Sequence, residues 1–113
     1  MYTEERPWGS FTILEDTETY KTKRIIVKPK QRLSYQSHEK RDELWIIVEG
    51  KAKVTLDGKD HILSYGENIV ILKQQKHRIE NIGDRNVIFI EIQTGTYFGE
   101  DDIVRYDDDY KRA

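Results

Sequence analysis

The segment from Arg32 to Gly50 reads RLSYQSHEKRDELWIIVEG and joins an alternating polar stretch to an apolar one. Side chains two residues apart on a strand share one face, so Gln36 and His38 point the same way. A short turn then leads to Glu43, which opens the apolar run that ends at Gly50. The segment therefore predicts two neighbouring strands whose polar side chains can converge.

Short alternating segments, separated by turn residues, continue along the rest of the chain. Branched and aromatic residues dominate them, as is typical of strands, and Asp57-Gly58 is the strongest hairpin signal. No segment carries a sustained apolar repeat of 3.6 residues, and only the tail 100–112 has room for a helical turn. We therefore predict one all-β domain over residues 1–113, a sandwich or barrel. The expected strands are 11–14, 23–27, 32–38, 44–48, 51–56, 61–63, 69–72, 77–81 and 87–93.

Length and composition exclude several classes of protein. The chain has 113 residues, a net charge of −2, 35% charged residues and no cysteine. Disulfides, cysteine-type zinc sites and a thiol nucleophile are therefore excluded. No apolar run approaches the 18 residues of a membrane helix, and the acidic N-terminus is unlike a signal peptide. Nucleic-acid binders are more often basic. We expect a cytoplasmic protein without a nucleic-acid or membrane partner.

Charge is distributed unevenly along the chain. Residues 21–41 contain eight Lys or Arg and one acid, whereas residues 100–109 contain six acids and one base. One interpretation is a pair of solvated faces that attract each other. The other is that some of the basic residues line a pocket for an anionic substrate.

Four side chains have the donor types that a divalent cation takes. Three of them lie between residues 36 and 43, and the fourth lies at residue 77. Imidazole nitrogen, carboxylate oxygen and amide oxygen suit zinc, manganese, iron or cobalt better than metals that prefer soft ligands. Such a set also arises by chance in a chain of this length, so the spacing alone leaves metal binding open. The four candidates are Gln36, His38, Glu43 and His77.

The motifs themselves resemble those of the cupins. Residues 36–50 read Gln-x-His-x4-Glu-x6-Gly, which is similar to the first cupin motif, and Gly66 followed by His77-x3-Asn81 is similar to the second. The flanking sequences, Arg-Pro-Trp-Gly at 6–9 and Gly-x-Tyr-x-Gly-Glu-Asp-Asp-Ile-Val-Arg at 95–105, resemble the cupin domain of type II mannose-6-phosphate isomerases. The resemblance covers about residues 6–112 and implies a double-stranded β-helix, a jelly-roll barrel.

This resemblance also implies a function and a cofactor. The Gln, His, Glu and His ligands of the related isomerases fall on the four candidates named above. The resemblance implies one divalent metal ion, Zn²⁺ first, with Mn²⁺, Co²⁺, Fe²⁺ or Ni²⁺ as alternatives. The expected reaction converts mannose 6-phosphate, a small phosphorylated sugar, to fructose 6-phosphate in nucleotide-sugar or polysaccharide metabolism. The relatives usually carry a mannose-1-phosphate guanylyltransferase domain in front, so we expect a stand-alone cupin.

Further site residues follow from the resemblance and from charge. Arg105 and Arg112 lie in a tail similar to one implicated in the isomerase site, where a guanidinium suits enediolate or phosphate oxygens. Arg105 is expected either to be catalytic or to form a structural pair with the adjacent acids, and Arg112 to bind the substrate. Lys21 and Lys23 share a strand face and are expected either to hold the phosphate or to lie on a solvated face. The base is left open between Lys40, Glu80 and a metal-bound hydroxide. His61, on an exposed hairpin, and the acids 107–109 are expected to be solvated.

The sequence also departs from the family pattern. Lys40 and Leu44 replace His, Leu72 and Gln74 replace the Pro and Gly of a turn, and Lys30 replaces another Gly. These changes leave two other functions open: another isomerase or epimerase acting on nucleotide-linked sugars, and a non-catalytic carbohydrate-binding cupin. We also expect a homodimer, because few residues are apolar and an exposed edge strand would otherwise pair without control.

Overall fold

The computed structural model describes residues 1–110 and contains eleven strands and no helix within that range. The all-β prediction is confirmed. The tail forms a strand where the sequence had room for a helical turn. The strands are β1 Tyr2–Arg6, β2 Gly9–Asp16, β3 Tyr20–Val27, β4 Tyr35–Ser37, β5 Arg41–Glu49, β6 Ala52–Leu56, β7 Lys59–Leu63, β8 Asn68–Ile71, β9 His77–Asn81, β10 Val87–Gly95 and β11 Val104–Asp107.

The strands form two antiparallel sheets that enclose one core. One sheet has the order β1-β2-β3-β10-β5-β8 and the other β11-β4-β9-β6-β7. Long central strands such as β5 and β10 bury every second residue, because successive side chains point to opposite faces. This is the jelly-roll barrel that the motifs imply. The core side chains are Trp8, Phe11, Ile25, Val27, Trp45, Ile47, Ala52, Val54, Ile71, Ile79, Val87 and Phe89.

Strand β1 is absent from the strands that the sequence predicts. Its residues are mostly exposed and polar, so they carry no apolar alternation. The strand forms because it pairs antiparallel with β2 along its whole length. Because no helix occurs in residues 1–110, that range contains none that could cross a membrane.

The register of the larger sheet brings charged residues of three strands into rows. Strand β10 lies between β3 and β5, and Gln93 faces Lys21 on one side and Glu43 on the other. One step along the same face, Glu91 lies opposite Lys23. Directly opposed side chains share a face with Cβ atoms about 5 Å apart. The inner face of this sheet therefore carries two adjacent charged rows.

The smaller sheet contributes a facing row. Gln36 on β4 lies opposite His77 on β9 and, on its other side, opposite Arg105 on β11. The register therefore places the amide of the first motif between the histidine of the second motif and the arginine of the tail.

The turns before both motifs keep a backbone that favours glycine. Lys30 and Gln74 replace family glycines, and they have φ values of 65° and 70°. This left-handed region is disfavoured for side chains with a Cβ. Both residues therefore hold this conformation at some cost in backbone energy.

Candidate metal centre

Three side chains from separate strands converge inside the barrel. His38 follows β4, Glu43 lies on β5 and His77 begins β9, and all three are buried. One potential ligand atom from each lies within 4.8 Å of the other two. The His38 Nε2 and Glu43 Oε2 atoms are 3.4 Å apart. A tetrahedral ion bound at about 2.1 Å sets its ligand atoms about 3.4 Å apart, so this pair already has the required spacing.

Backbone carbonyls orient both imidazole rings. The Nδ1 of His38 lies 2.6 Å from the carbonyl oxygen of Asp102, and the Nδ1 of His77 lies 3.0 Å from that of Gln75. A carbonyl oxygen only accepts hydrogen bonds, so each Nδ1 carries the proton and each Nε2 keeps its lone pair. Metal-binding histidines are typically held in this way.

The protonation states of the cluster also suit a metal ion. Burial lowers the pKa of His77 to about 4 and also lowers that of His38, with Glu43 opposing the shift in both. Burial alone would raise the pKa of Glu43, but Arg41 and the two histidines hold it well below its usual range. Near neutral pH the cluster therefore offers two neutral imidazoles and one carboxylate, the protonation states that a metal ion requires.

Gln36 is the fourth ligand expected from the sequence. Its side chain lines the same cavity, and its Nε2 donates to Ser34 Oγ at 2.9 Å. The amide oxygen is thus the atom left for a metal ion. Two imidazole nitrogens, a carboxylate and an amide oxygen fit a borderline divalent ion such as Zn²⁺. The donor chemistry of the four residues therefore fits the metal ion that the resemblance implies.

A cavity opens above the cluster. The empty space inside it, including the part open to solvent, is about 630 Å³. Trp8, Phe11 and Trp45 supply apolar wall, and charged side chains surround it. The cationic ones are Arg6, Lys23, Arg41, Arg78 and Arg105, and the acidic ones are Glu43, Glu91 and Glu100.

The two lysines predicted to hold phosphate are buried rather than solvated. Lys21 is 6% exposed and Lys23 is 4% exposed. Lys23 lines the cavity and donates to Glu100 at 2.5 Å. Lys21 donates to the Phe98 carbonyl at 3.3 Å and borders a separate, shallower pocket. The alternative that both lysines lie on a solvated face is therefore wrong, because both ammonium groups are buried and lie near Glu100 of the acidic tail.

That tail pairs with the basic segment at a second place. Arg32 donates to both carboxylate oxygens of Asp109 at 2.8 Å. Some basic residues of segment 21–41 thus form ion pairs with the acidic tail, and others line the cavity. Asp109 is exposed, in agreement with the expectation for this acidic run, and so is His61.

Lys40 does not join the site. Its side chain is exposed, and its Nζ lies 5.1 Å from the centre of the Tyr97 ring. The chain bends at residues 39 and 40, before β5 begins, and leaves this side chain on the surface. Glu80 forms an ion pair with Lys53 at 3.5 Å. Neither candidate base therefore lies at the metal cluster.

Arg105 lies in the cavity wall beside Gln36, where the tail motif led us to expect it. Its position follows from the pairing of β11 with β4, which no local pattern in the sequence shows. Arg112 lies outside the described residues.

Glu91 was missed at the level of sequence. Only 5% of it is exposed, it lines the cavity, and its Oε2 accepts a hydrogen bond from Gln93 Nε2 at 2.6 Å. Burial raises the pKa of Glu91 to about 8, with Glu43 adding to the shift while Lys23 and Arg41 oppose it. A signal was present, because Glu91 shares strand parity with the apolar Val87 and Phe89 and so had to point inward.

Curated proteins are similar in sequence to almost the whole of this chain. A mannose-1-phosphate guanylyltransferase of Salmonella montevideo is 46% identical over 107 residues, which are 95% of this chain and 23% of that protein. The alginate biosynthesis protein AlgA of Pseudomonas aeruginosa is 43% identical over 108 residues, which are 96% of this chain and 22% of that protein. The chain thus spans less than a quarter of the length of these curated relatives.

Solved structures with low sequence identity share the fold. The capsular polysaccharide assembling protein CapF of Staphylococcus aureus has a TM-score of 0.84 at 21% identity, covering 94% of this chain and 34% of that one. A protein of Klebsiella pneumoniae with a double-stranded β-helix domain has a TM-score of 0.74 at 18% identity, covering 83% of this chain and 80% of that one. A sugar phosphate isomerase of the cupin superfamily from Silicibacter pomeroyi has a TM-score of 0.71 at 19% identity, covering 80% of this chain and 65% of that one. These similarities confirm the double-stranded β-helix.

A family match decides the assignment. Residues 2–108 match the family described as mannose-6-phosphate isomerase C-terminal. The match includes both cupin motifs, the N-terminal Arg-Pro-Trp-Gly and most of the acidic tail. The chain therefore belongs to the mannose-6-phosphate isomerase C-terminal family, as its motifs indicated.

Proposed function

We propose that this chain is a metal-dependent sugar-phosphate isomerase that converts mannose 6-phosphate to fructose 6-phosphate. The observation that carries the proposal is the meeting of His38, Glu43 and His77 at a cavity whose wall also holds cationic side chains. Isomerisation between an aldose and a ketose moves a proton between two neighbouring carbons and develops charge on an oxygen. A bound divalent ion, which we propose to be Zn²⁺, would supply a Lewis acid for that oxygen.

Glu91 is the best-placed group in the cavity to move the proton. Of the three acids that line it, Glu43 belongs to the metal cluster and Glu100 pairs with Lys23. Glu91 instead accepts a hydrogen bond from an amide, and its pKa of about 8 lies near the usual working range. A carboxyl that titrates near the working pH can accept a proton and return it.

The cationic side chains would bind the anionic parts of the substrate. Arg105 lies beside Gln36 and therefore next to the metal cluster. Its planar guanidinium suits oxygens of the enediolate or of the phosphate. Lys23 lies further along the wall, so it would meet the phosphate only after release from Glu100.

The function is tested by metal analysis followed by an isomerase assay on mannose 6-phosphate with added Zn²⁺, Mn²⁺ or Co²⁺. We expect stoichiometric metal and formation of fructose 6-phosphate. Glu91→Gln should keep the metal and lose most turnover, because an amide cannot take up the proton. Metal-loaded protein that turns over no hexose phosphate would refute the proposed function.

We also propose a homodimer. The edge strand β8 exposes Val70, and Leu72 follows directly with 55% of its surface exposed. Pairing of this edge with a second copy would cover both side chains. Light scattering at micromolar concentration should give twice the mass of the chain, and a monomer would contradict the proposal.

A further inference from the structure

The guanidinium of Arg41 is held inside the ligand cluster. Arg41 is 5% exposed and begins β5, two residues before Glu43. Its Nε donates to Glu43 Oε2 at 2.8 Å, its Nη2 lies 3.3 Å from His38 Nε2, and its Nη1 donates to the Gly99 carbonyl at 3.3 Å. All three nitrogens are thus engaged, and two of them contact candidate metal ligands.

The contact with His38 excludes coordination by the same atom. A neutral imidazole has one lone pair in the plane of its ring, and the proton of His38 is on Nδ1 because Asp102 accepts it. The lone pair of Nε2 therefore accepts a hydrogen from Arg41 Nη2. A metal ion and the guanidinium cannot use that lone pair at the same time.

Charge strengthens this argument. An arginine stays protonated in proteins, so Arg41 places a permanent positive charge between a buried carboxylate and a neutral histidine. Trp45 Nε1 donates to the other oxygen of Glu43 at 2.8 Å. The carboxylate is therefore already compensated by hydrogen bonds within the chain, and a divalent ion has to replace part of that compensation.

We infer that Arg41 is an internal competitor for the metal site, so that metal binding displaces its Nη2 from His38. The inference rests on the metal centre of the proposed function and adds a determinant of its affinity.

The test is the Zn²⁺ dissociation constant, measured by competition with a chromophoric chelator. Arg41→Met removes the donors and the charge while keeping an unbranched apolar side chain, and it should bind Zn²⁺ about tenfold more tightly than the unmodified chain. Arg6→Met is the matched control, since it removes another guanidinium from the cavity wall and leaves the His38 contact intact. Its affinity should change about threefold or less, because the cavity is open to solvent and screening is effective.

Arg41→Lys separates the effect of blocking His38 Nε2 from the effect of the positive charge at residue 41. The lysine keeps the positive charge but cannot donate to Glu43 and His38 through a planar fork. We expect an affinity between those of the unmodified chain and Arg41→Met. Equal or weaker Zn²⁺ binding by Arg41→Met would overturn the inference while the proposed function stands. Failure of every variant and of the unmodified chain to bind metal would refute both.

A measurement on the unmodified chain avoids any doubt about folding of the variants. Long-range ¹H–¹⁵N spectra report His38 Nε2 and the Arg41 side chain in one sample during a Zn²⁺ titration. We expect both sets of signals to change together and to saturate at one equivalent. Coordination of His38 with unchanged Arg41 signals would overturn the inference.

Discussion

The Nδ1 of His38 donates a 2.6 Å hydrogen bond to the backbone carbonyl of Asp102, 64 residues further along the chain. The Asp102 carboxylate in turn accepts the backbone N–H groups of Glu39 and Lys40 at 3.1 and 3.0 Å. The acidic tail thus holds both the ring and the backbone of the first motif. A tail residue thereby determines the tautomer and the direction of a candidate metal ligand.

Asp102→Ala should weaken Zn²⁺ binding about tenfold, because loss of the clamp loosens groups that orient a ligand. The carbonyl remains but is no longer positioned by the two backbone contacts. Calorimetric titration of Zn²⁺ checks the result. Asp101→Ala is the control, since that exposed carboxylate accepts the Tyr97 hydroxyl instead. Equal affinities for both variants would contradict the role of Asp102.

His77→Ala should abolish stoichiometric Zn²⁺, because it removes one of the three clustered donors. His61→Ala should leave the metal content unchanged, since that histidine is exposed on the β6–β7 hairpin. Elemental analysis after dialysis measures both. Retention of one equivalent of metal by His77→Ala would place the metal site elsewhere.

Glu91 should make the free energy of unfolding depend on pH. Its pKa is about 8 in the folded chain and near 4.5 when unfolded, so the folded state binds more protons between these values. The stabilisation that Glu91 contributes to the free energy of unfolding is therefore complete below about pH 4.5 and is lost as the pH rises towards 8. Urea unfolding with EDTA present should show a flatter profile between pH 5 and 8 for Glu91→Gln. Glu49→Gln, at an exposed position, should follow the unmodified chain, and a steeper profile for Glu91→Gln would contradict the assignment.

Lys30→Gly should raise the free energy of unfolding by about 0.5 kcal/mol, because relief of the left-handed backbone exceeds the entropic cost of glycine. Lys28→Gly is the matched control in the same exposed segment. Its φ is not positive, so the change should lower stability by roughly 0.5–1 kcal/mol. Thermal or urea unfolding checks the signs, and destabilisation by both variants would refute the argument.

Much of the barrel and of the metal cluster could be predicted from sequence. Alternation and turn residues indicate most strands because side-chain parity is a local property. The resemblance to the cupin motifs, rather than the spacing alone, points to His38, Glu43 and His77. Lys40 shows where this reasoning stops. Its place in the family motif made it a candidate base, but the bend before β5 leaves its side chain exposed.

Other relationships exist only in the tertiary structure. The contacts of Asp102 with the first motif and of Glu91 with the cavity depend on which strands pair and in which register. The sequence by itself determined the all-β class, the family and the candidate ligands. Only the fold decided which charges face one another, because pairing between strands distant in the chain is a property of the whole sheet and not of any segment.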